Sequence, residues 1–280
     1  MKLISIGDNV TDTYVDDGVY YPGGNCVNVA VAARMAGAEK SDYMGIFGND
    51  QRAENIKSAL IKENVALINC RKVYAPSAAP QVLIDMGDRV FAPGPKNSAQ
   101  HLFKLRLTVA DFQEISTYNV LHTSVYSNLE NDLSKIQEYT KVSFDFSEQQ
   151  NRSYLQKVLP NTNFAFFSGA HKDKKEVELL GKYCLQFPNV EVVSVTRGAQ
   201  PAILITRRKI VEQPTIATHI VDTMGAGDSF IGGFLNEYIN TGNLQSAGEK
   251  AALNAAKTCE ISGGFGHPFL IEKRERYEKI

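Results

Sequence analysis

The 280-residue chain is 43% hydrophobic and 22% charged, which excludes collagen-like, low-complexity and disordered classes. It carries 30 Lys and Arg against 31 Asp and Glu, a net charge of -1, so nothing favours electrostatic capture of nucleic acid or a membrane surface. The length suits one large α/β domain with a sizeable core. Apolar, β-rich runs are predicted as strands over 2–7, 42–46, 81–85, 119–123, 142–146, 164–168, 191–196 and 202–206. Helical patterns alternate with them over 25–36, 50–63, 130–140, 172–186, 228–240 and 244–261. Several strands are apolar almost throughout, as parallel strands buried on both faces require. The alternation predicts a doubly wound, mostly parallel sheet flanked by helices, with ligands beyond the carboxyl ends of its strands.

Two stretches break that rhythm, 13–21 and about 71–91, the second with a turn at Asp85-Met86-Gly87-Asp88. Both leave the core and return to it, as a small β lid or as ordinary edge hairpins. Arg207-Arg208-Lys209 fits a solvated hairpin turn. Cys26, Cys70, Cys184 and Cys259 have no metal-pair or C-x-x-C spacing. The start runs straight into a strand, which leaves no room for a leader, and no apolar run is long enough to span a bilayer. A reduced, cytoplasmic setting is the expectation.

The strongest local signal is Asp222-Thr223-Met224-Gly225-Ala226-Gly227-Asp228-Ser229-Phe230. Phe230, Phe234, Leu235, Tyr238 and Ile239 then share one helical face, and Gly242 ends it. Gly225, Ala226 and Gly227 therefore sit at a helix start. Their small side chains let backbone N–H groups approach an anion, and the helix dipole adds positive potential there. Asp228 opens the helix beside that anion hole. A carboxylate there is ionised at neutral pH and can take a proton from a hydroxyl that attacks a phosphoryl group. The plainer alternative is an acid that merely favours the helix N-terminus. The flanking glycines and Asp222-Thr223 make the segment more specific than a bare glycine turn.

This segment resembles the C-terminal signature of the PfkB/ribokinase family of carbohydrate kinases. Gly23-Gly24-Asn25-Cys26-Val27-Asn28-Val29-Ala30 resembles the family's N-terminal signature, and Ile6-Gly7 with Asp12 resembles its sugar-gripping acid. The resemblance covers essentially the whole chain and implies a ribokinase-like fold. It implies ATP-dependent phosphorylation of a small-molecule hydroxyl, with catalysis by Asp228 and the Gly225, Ala226 and Gly227 hole. It implies substrate contacts from Asp12, Gly23, Gly24 and Asn28. Asp12 can accept two hydrogen bonds from vicinal hydroxyls, and glycines let the backbone come close to a ligand. Arg89 either meets an anionic group of the substrate or ends a lid strand in solvent.

On the nucleotide side, Thr196 and Gly198 resemble a turn near the ATP phosphates, although Pro201 replaces a further glycine. Asn254 lies on the helix that flanks the adenine in the family. Gly264 belongs to Gly263-Gly264-Phe265-Gly266, which resembles a loop that closes over the base and can carry a monovalent cation. A strand turn and a helix C-cap are the plainer readings of these segments.

The family's Asn-x-x-Glu motif is absent from Phe167-Ser168-Gly169-Ala170-His171-Lys172-Asp173. Mg²⁺ is then expected to arrive mainly on ATP, with few protein ligands, and no metal-ligating residue is assigned. The fructoselysine 6-kinase subgroup shares that departure, along with Ile6-Gly7-Asp8-Asn9, Gly-Gly-Asn, Asp88-Arg89-Val90-Phe91 and Phe144-Asp145-Phe146-Ser147. A fructosyl amino acid phosphorylated at its 6-position is the substrate this implies. Other sugars, a nucleoside, or a silent sugar- or nucleotide-binding role stay open. His122 ends an apolar strand, facing the site or satisfied inside. A homodimer through the lid is the expected assembly. No P-loop and no G-x-G-x-x-G spacing is present.

Overall fold

The computed structural model describes residues 1–85, 88–92 and 94–271, with 84–85 and 88–90 described by backbone alone. The chain opens with β1 (Lys2–Gly7), β2 (Val10–Tyr14) and β3 (Val19–Gly23). Helix α1 (Asn25–Met35) follows at once, then β4 (Lys40–Phe47) and α2 (Gln51–Lys62). Short β5 (Ala66–Leu67) and β6 (Arg71–Lys72) lead to β7 (Gln81–Asp85) and β8 (Asp88–Ala92). Next come α3 (Ala99–Leu102), α4 (Val109–Ile115), β9 (Val120–Ser124), α5 (Leu133–Gln137) and β10 (Lys141–Asp145). Then follow α6 (Arg152–Val158), β11 (Phe164–Ser168), α7 (Lys174–Cys184) and β12 (Val192–Arg197). Strands β13 (Gln200–Ile205) and β14 (Ile210–Gln213), helices α8 (Ala226–Thr241) and α9 (Leu244–Cys259), and β15 (Phe269–Leu270) complete the described chain.

The main sheet runs β14-β13-β12-β11-β10-β9-β1-β4-β5, with β6 also on β4. Its antiparallel pairs are β12–β13 and β13–β14, and the other described pairs are parallel. Its central strands β1, β4, β9, β10, β11 and β12 are buried on both faces, as their apolar runs require. Along β11, Phe164 and Phe166 pack with α1, α8 and α9, while Ala165 and Phe167 face the opposite core. Order reverses at β1, which pairs with both β4 and β9. The crevice at the carboxyl ends of β1, β9 and β10 is therefore the switch point at which such sheets bind ligands.

A second sheet runs β15-β3-β2-β7-β8. It differs from the 13–21 and 71–91 expectation at its edges. Arg71–Lys72 pairs with β4 in the main sheet, because the chain around it is still held along β4 by Ile68 N on Tyr43 O and Val73 N on Phe47 O. Strand β2 starts at Val10, and β15 joins from the far end of the chain. The Met86-Gly87 part of the expected turn lies outside the described residues. Arg207 is exposed but not merely solvated: its guanidinium donates to the carbonyls of Val190, Leu185, Phe187 and Pro188. All four cysteines are free. Among the described residues, no helix is long and apolar enough to cross a membrane.

Helices α1 and α8 touch closely enough to forbid a side chain at Gly232. A Cβ there meets Ala33 N at 2.6 Å and Ala32 Cβ at 2.8 Å. Gly232→Ala should therefore lower stability by about 1–3 kcal/mol through overpacking, despite alanine's better helix propensity. Denaturant unfolding checks this, and a variant as stable as wild type would refute the close contact.

Candidate active site

The site begins with the turn after β1. Asp8 accepts from Asn25 N at 2.7 Å and Cys26 N at 3.4 Å, so a distant side chain caps α1. The hydroxyls of Ser124 and Ser127 lie 3.3 Å from Asp8 Oδ1, the oxygen that Cys26 N also reaches. Gly24 has φ +105°, and a Cβ on it would meet Asp8 Oδ2 at 2.9 Å. At Gly23 a Cβ would lie 2.1 Å from Asp12 Oδ2. The glycine pair thus makes room for two carboxylates, which is a different reason from the close substrate approach expected of it.

Asn25 and Asn28 are three apart on α1, hence on one face, and that face meets the start of α8. Asn25 Nδ2 donates to Asp228 Oδ1 and Asn28 Nδ2 to Asp228 Oδ2, each at 2.7 Å. Both oxygens of Asp228 are held by α1. Asn28 was expected to face a sugar; its amide nitrogen is spent on Asp228, while its Oδ1 is buried without a partner. The second hydrogen of Asn25 Nδ2 reaches Asp145 Oδ2 at 2.7 Å. Asn25 Oδ1 pairs with His122 Nε2 at 2.9 Å.

The acids crowd one another. Burial pushes the Asp228 carboxyl up to about 8; Asp145 and Asp8 add to the rise, against the amides of Asn28 and Asn25. The expectation of an ordinary, ionised carboxylate is thereby corrected. Burial raises Asp145 to about 6, and burial followed by the charges of Asp222 and Asp8 raises Asp12 to about 7. His122 is driven down to about 3 by burial and stays neutral, an interior histidine that still reaches the site through Asn25.

The glycine turn is built as its sequence implies. Gly225 has φ +72° and a Cβ on it would lie 2.8 Å from Gly264 Cα; a Cβ on Gly264 would lie 2.6 Å from Asn28 Oδ1. Gly225, Ala226 and Gly227 lead into α8 with Asp228 in its first turn, where helix N–H groups lack intrahelical partners. Asp222 fastens the surroundings. Its carboxylate accepts from Tyr14 OH at 2.7 Å, Met224 N at 2.6 Å and Gly263 N at 3.0 Å, joining the small sheet, the glycine turn and the loop after α9.

The expected nucleotide residues divide. Gly264 sits against Gly225 and Asn28. Thr196 is near the carboxyl end of β12, its hydroxyl on Phe167 O at 3.4 Å, and Gly198 takes φ +62° in the β12–β13 turn. Asn254 is turned inward: its amide donates to Ala32 O at 3.2 Å and Ser229 O at 2.9 Å. It ties α9 to α1 and α8, so it is a poor candidate for an adenine contact. Arg89 lies on β8, and its side chain is outside the described residues.

A family model described as pfkB family carbohydrate kinase matches residues 1–266. The chain belongs to the pfkB family of carbohydrate kinases. Among family relatives it is 41% identical to fructosamine kinase FrlD of Bacillus subtilis (strain 168), over 100% of this chain and 99% of that one. It is 28% identical to fructoselysine 6-kinase of Escherichia coli (strain K12), over 94% of this chain and 99% of that one. Ribokinase of Arabidopsis thaliana, solved with ribose and ATP, superposes with a TM-score of 0.81 at 16% identity, over 99% and 97% of the two chains. The fold is thus ribokinase-like, an α/β arrangement with a mostly parallel central sheet, as the alternating pattern implied.

Sequence reasoning left Asp8, Asn25, Asp145 and Asp222 without site roles. The spacing of Asn25 and Asn28 carried a usable signal. Asp145 at a strand's carboxyl end carried another, weaker one.

Proposed function

We propose that this family member transfers the γ-phosphoryl group of ATP to the 6-hydroxyl of a fructosyl amino acid, with fructoselysine the leading substrate. The observation that carries the chemistry is the clamping of both Asp228 oxygens by Asn25 and Asn28 at the first turn of α8. A base so held faces one way, beside backbone amides suited to phosphate oxygens. The full-length likeness to fructosamine kinase FrlD supports the substrate class.

In this reading the attacking hydroxyl sits against Asp228, which takes its proton during in-line transfer. A pKa near the working pH makes Asp228 a stronger base than an ordinary carboxylate. Asn28 Oδ1, buried and unpartnered, offers an acceptor to a substrate hydroxyl, and Asp12 another. The small sheet closes over the sugar and keeps water from the γ-phosphate. Leu83 and Phe91 are 40% and 52% exposed on it, which suits pairing of two lids in a homodimer. Among the described residues no group of three or more His, Cys, Asp or Glu is arranged to hold a metal ion, and Mg²⁺ needs only one or two carboxylates beside nucleotide phosphates. An ion carried by the nucleotide suits that arrangement.

The test is ADP release with Mg-ATP against fructoselysine, other fructosyl amino acids, fructose, ribose, 2-keto-3-deoxygluconate and adenosine. Turnover should be greatest with the fructosyl amino acids. Preference for a plain sugar or nucleoside would overturn the substrate, and silence throughout would overturn the kinase.

A further inference from the structure

Asp145 ends β10, a strand central to the main sheet, and only 8% of its surface is exposed. Its Oδ1 accepts from Ser147 N at 2.8 Å, and its Oδ2 from Asn25 Nδ2 at 2.7 Å. The same nitrogen donates to Asp228. The carboxylates of buried Asp145 and half-buried Asp228 therefore lie one amide apart, each drawing on one hydrogen of a single –NH₂ group. That geometry has no bearing on capping α8 or on closing the sheet.

The amide is oriented with its nitrogen toward the two acids and its oxygen toward His122. Turned over, its Oδ1 would face two acceptors; as it stands, His122 Nε2 lies 2.9 Å from that oxygen. A carbonyl oxygen only accepts, so His122 carries its proton on Nε2. Its Nδ1 then accepts from Ser143 Oγ, 2.9 Å away. Ser143, His122, Asn25 and the acid pair form a chain in which every donor has one direction. His122 stays neutral in it, so it adds orientation without adding charge.

We propose that Asn25 and Asp145 are positioning residues which, with Asp228, hold one proton between two carboxylates and so set the strength and aim of the base. Two like charges this close disfavour double ionisation, the shared amide donor offsets part of that, and their protons leave as a coupled pair. The groups facing Asp228 are Asn25 and Asn28 from α1, Asp145 from β10, Asp8 from the turn after β1, and Tyr126 from the loop after β9. The charged ones are acidic. Asp145 is faced in turn by Asp8 and Asp228, and by Tyr126 near Ser147. With Asp145 charged, a proton drawn from the substrate hydroxyl is held more tightly on Asp228, which favours its removal during phosphoryl transfer. This inference rests on the kinase reading above and extends it to residues outside the glycine signature.

The test is the pH profile of kcat/KM for wild type, Asp145→Asn, Asp145→Ala and Asn25→Ala, on whichever substrate the wild type turns over. Both Asp145 variants should move the acid limb to lower pH by about one unit or more and reduce the plateau rate several-fold. Asn25→Ala removes a donor from both carboxylates and should move the limb the opposite way. Should a variant be inactive, the Asp228 titration is read by NMR of isotope-labelled aspartate carboxyls, assigned by its loss in Asp228→Asn. The same opposed shifts are expected there. Rates that fall with an unmoved titration would mean a merely structural role and would sink the proposal. A wild type without turnover on any substrate fails the kinase reading instead, and the NMR titrations would still decide the coupling.

Discussion

Asparagine in place of Asp228 is expected to lower kcat by roughly a thousandfold, the scale of losing a positioned general base. The replacement keeps the shape of the side chain and removes its basicity. It also turns an –NH₂ group toward one of the two amide donors that now hold the carboxylate at 2.7 Å, so the clamp itself is lost on one side. The anion hole is a backbone feature and should survive, because Gly225 keeps its left-handed turn and α8 its first-turn N–H groups. ATP should therefore raise the melting temperature of the variant as much as that of wild type, while ADP release nearly stops. In wild type, turnover should climb with pH through the ionisation of Asp228, which burial and Asp145 push up to about 8. The sign follows from the base needing to be unprotonated. A variant that retains a tenth or more of wild-type kcat would remove Asp228 from the role of base.

Whether the base could be found without a structure depended on how local its signal was. Gly225 to Asp228 lie within four residues and announce a helix start, which the structure places at Ala226. The unbroken apolar runs of β11 and β12 likewise marked buried parallel strands. What escaped was either short or dispersed. Helices α3, α4 and α6 span 4, 7 and 7 residues, too few turns for a periodic apolar face to stand out. The capping box of Thr108 with Asp111 at the start of α4 and the Asn151 cap of α6 were the local cues there. Strands β5 and β6 are held by backbone bonds to β4, which no side-chain pattern records. In the site, Asp8, Asn25, Asp145 and Asp222 belong to four segments that meet only because β1 is the switch point of the sheet. Asn254 shows the reverse failure. Its place on α9 resembled a nucleotide contact, yet its amide is used to join three helices.

Alanine at Gly23 is the sharpest probe of the sugar end of the site. Its Cβ would lie 2.1 Å from Asp12 Oδ2, and something must move. The backbone at Gly23 is not in the left-handed region, so the added methyl acts on its neighbour rather than on its own turn. Asp12 is a short side chain, 3% exposed, opposite Tyr21 in the β2–β3 ladder. It cannot swing aside as a long side chain would. The charges of Asp222 and Asp8 already press on it, which opposes any shift toward either. The carboxylate should leave the position from which it meets the sugar hydroxyls. A lost hydrogen bond to a charged group is worth about 1.5–3 kcal/mol, so KM for the sugar should rise roughly 10- to 100-fold. Asp228 and the anion hole lie on other elements, so kcat should change far less, and KM for ATP hardly at all. Asp12→Ala should give a similar rise by removing the same group directly. The double variant should then add little to either single one, because both act on one contact. Steady-state kinetics on the four proteins reads this out. A Gly23→Ala enzyme with wild-type KM for the sugar would mean that Asp12 does not hold the substrate. Additive effects in the double variant would mean that Gly23 serves the substrate directly, by letting it approach the backbone, and not by housing the acid.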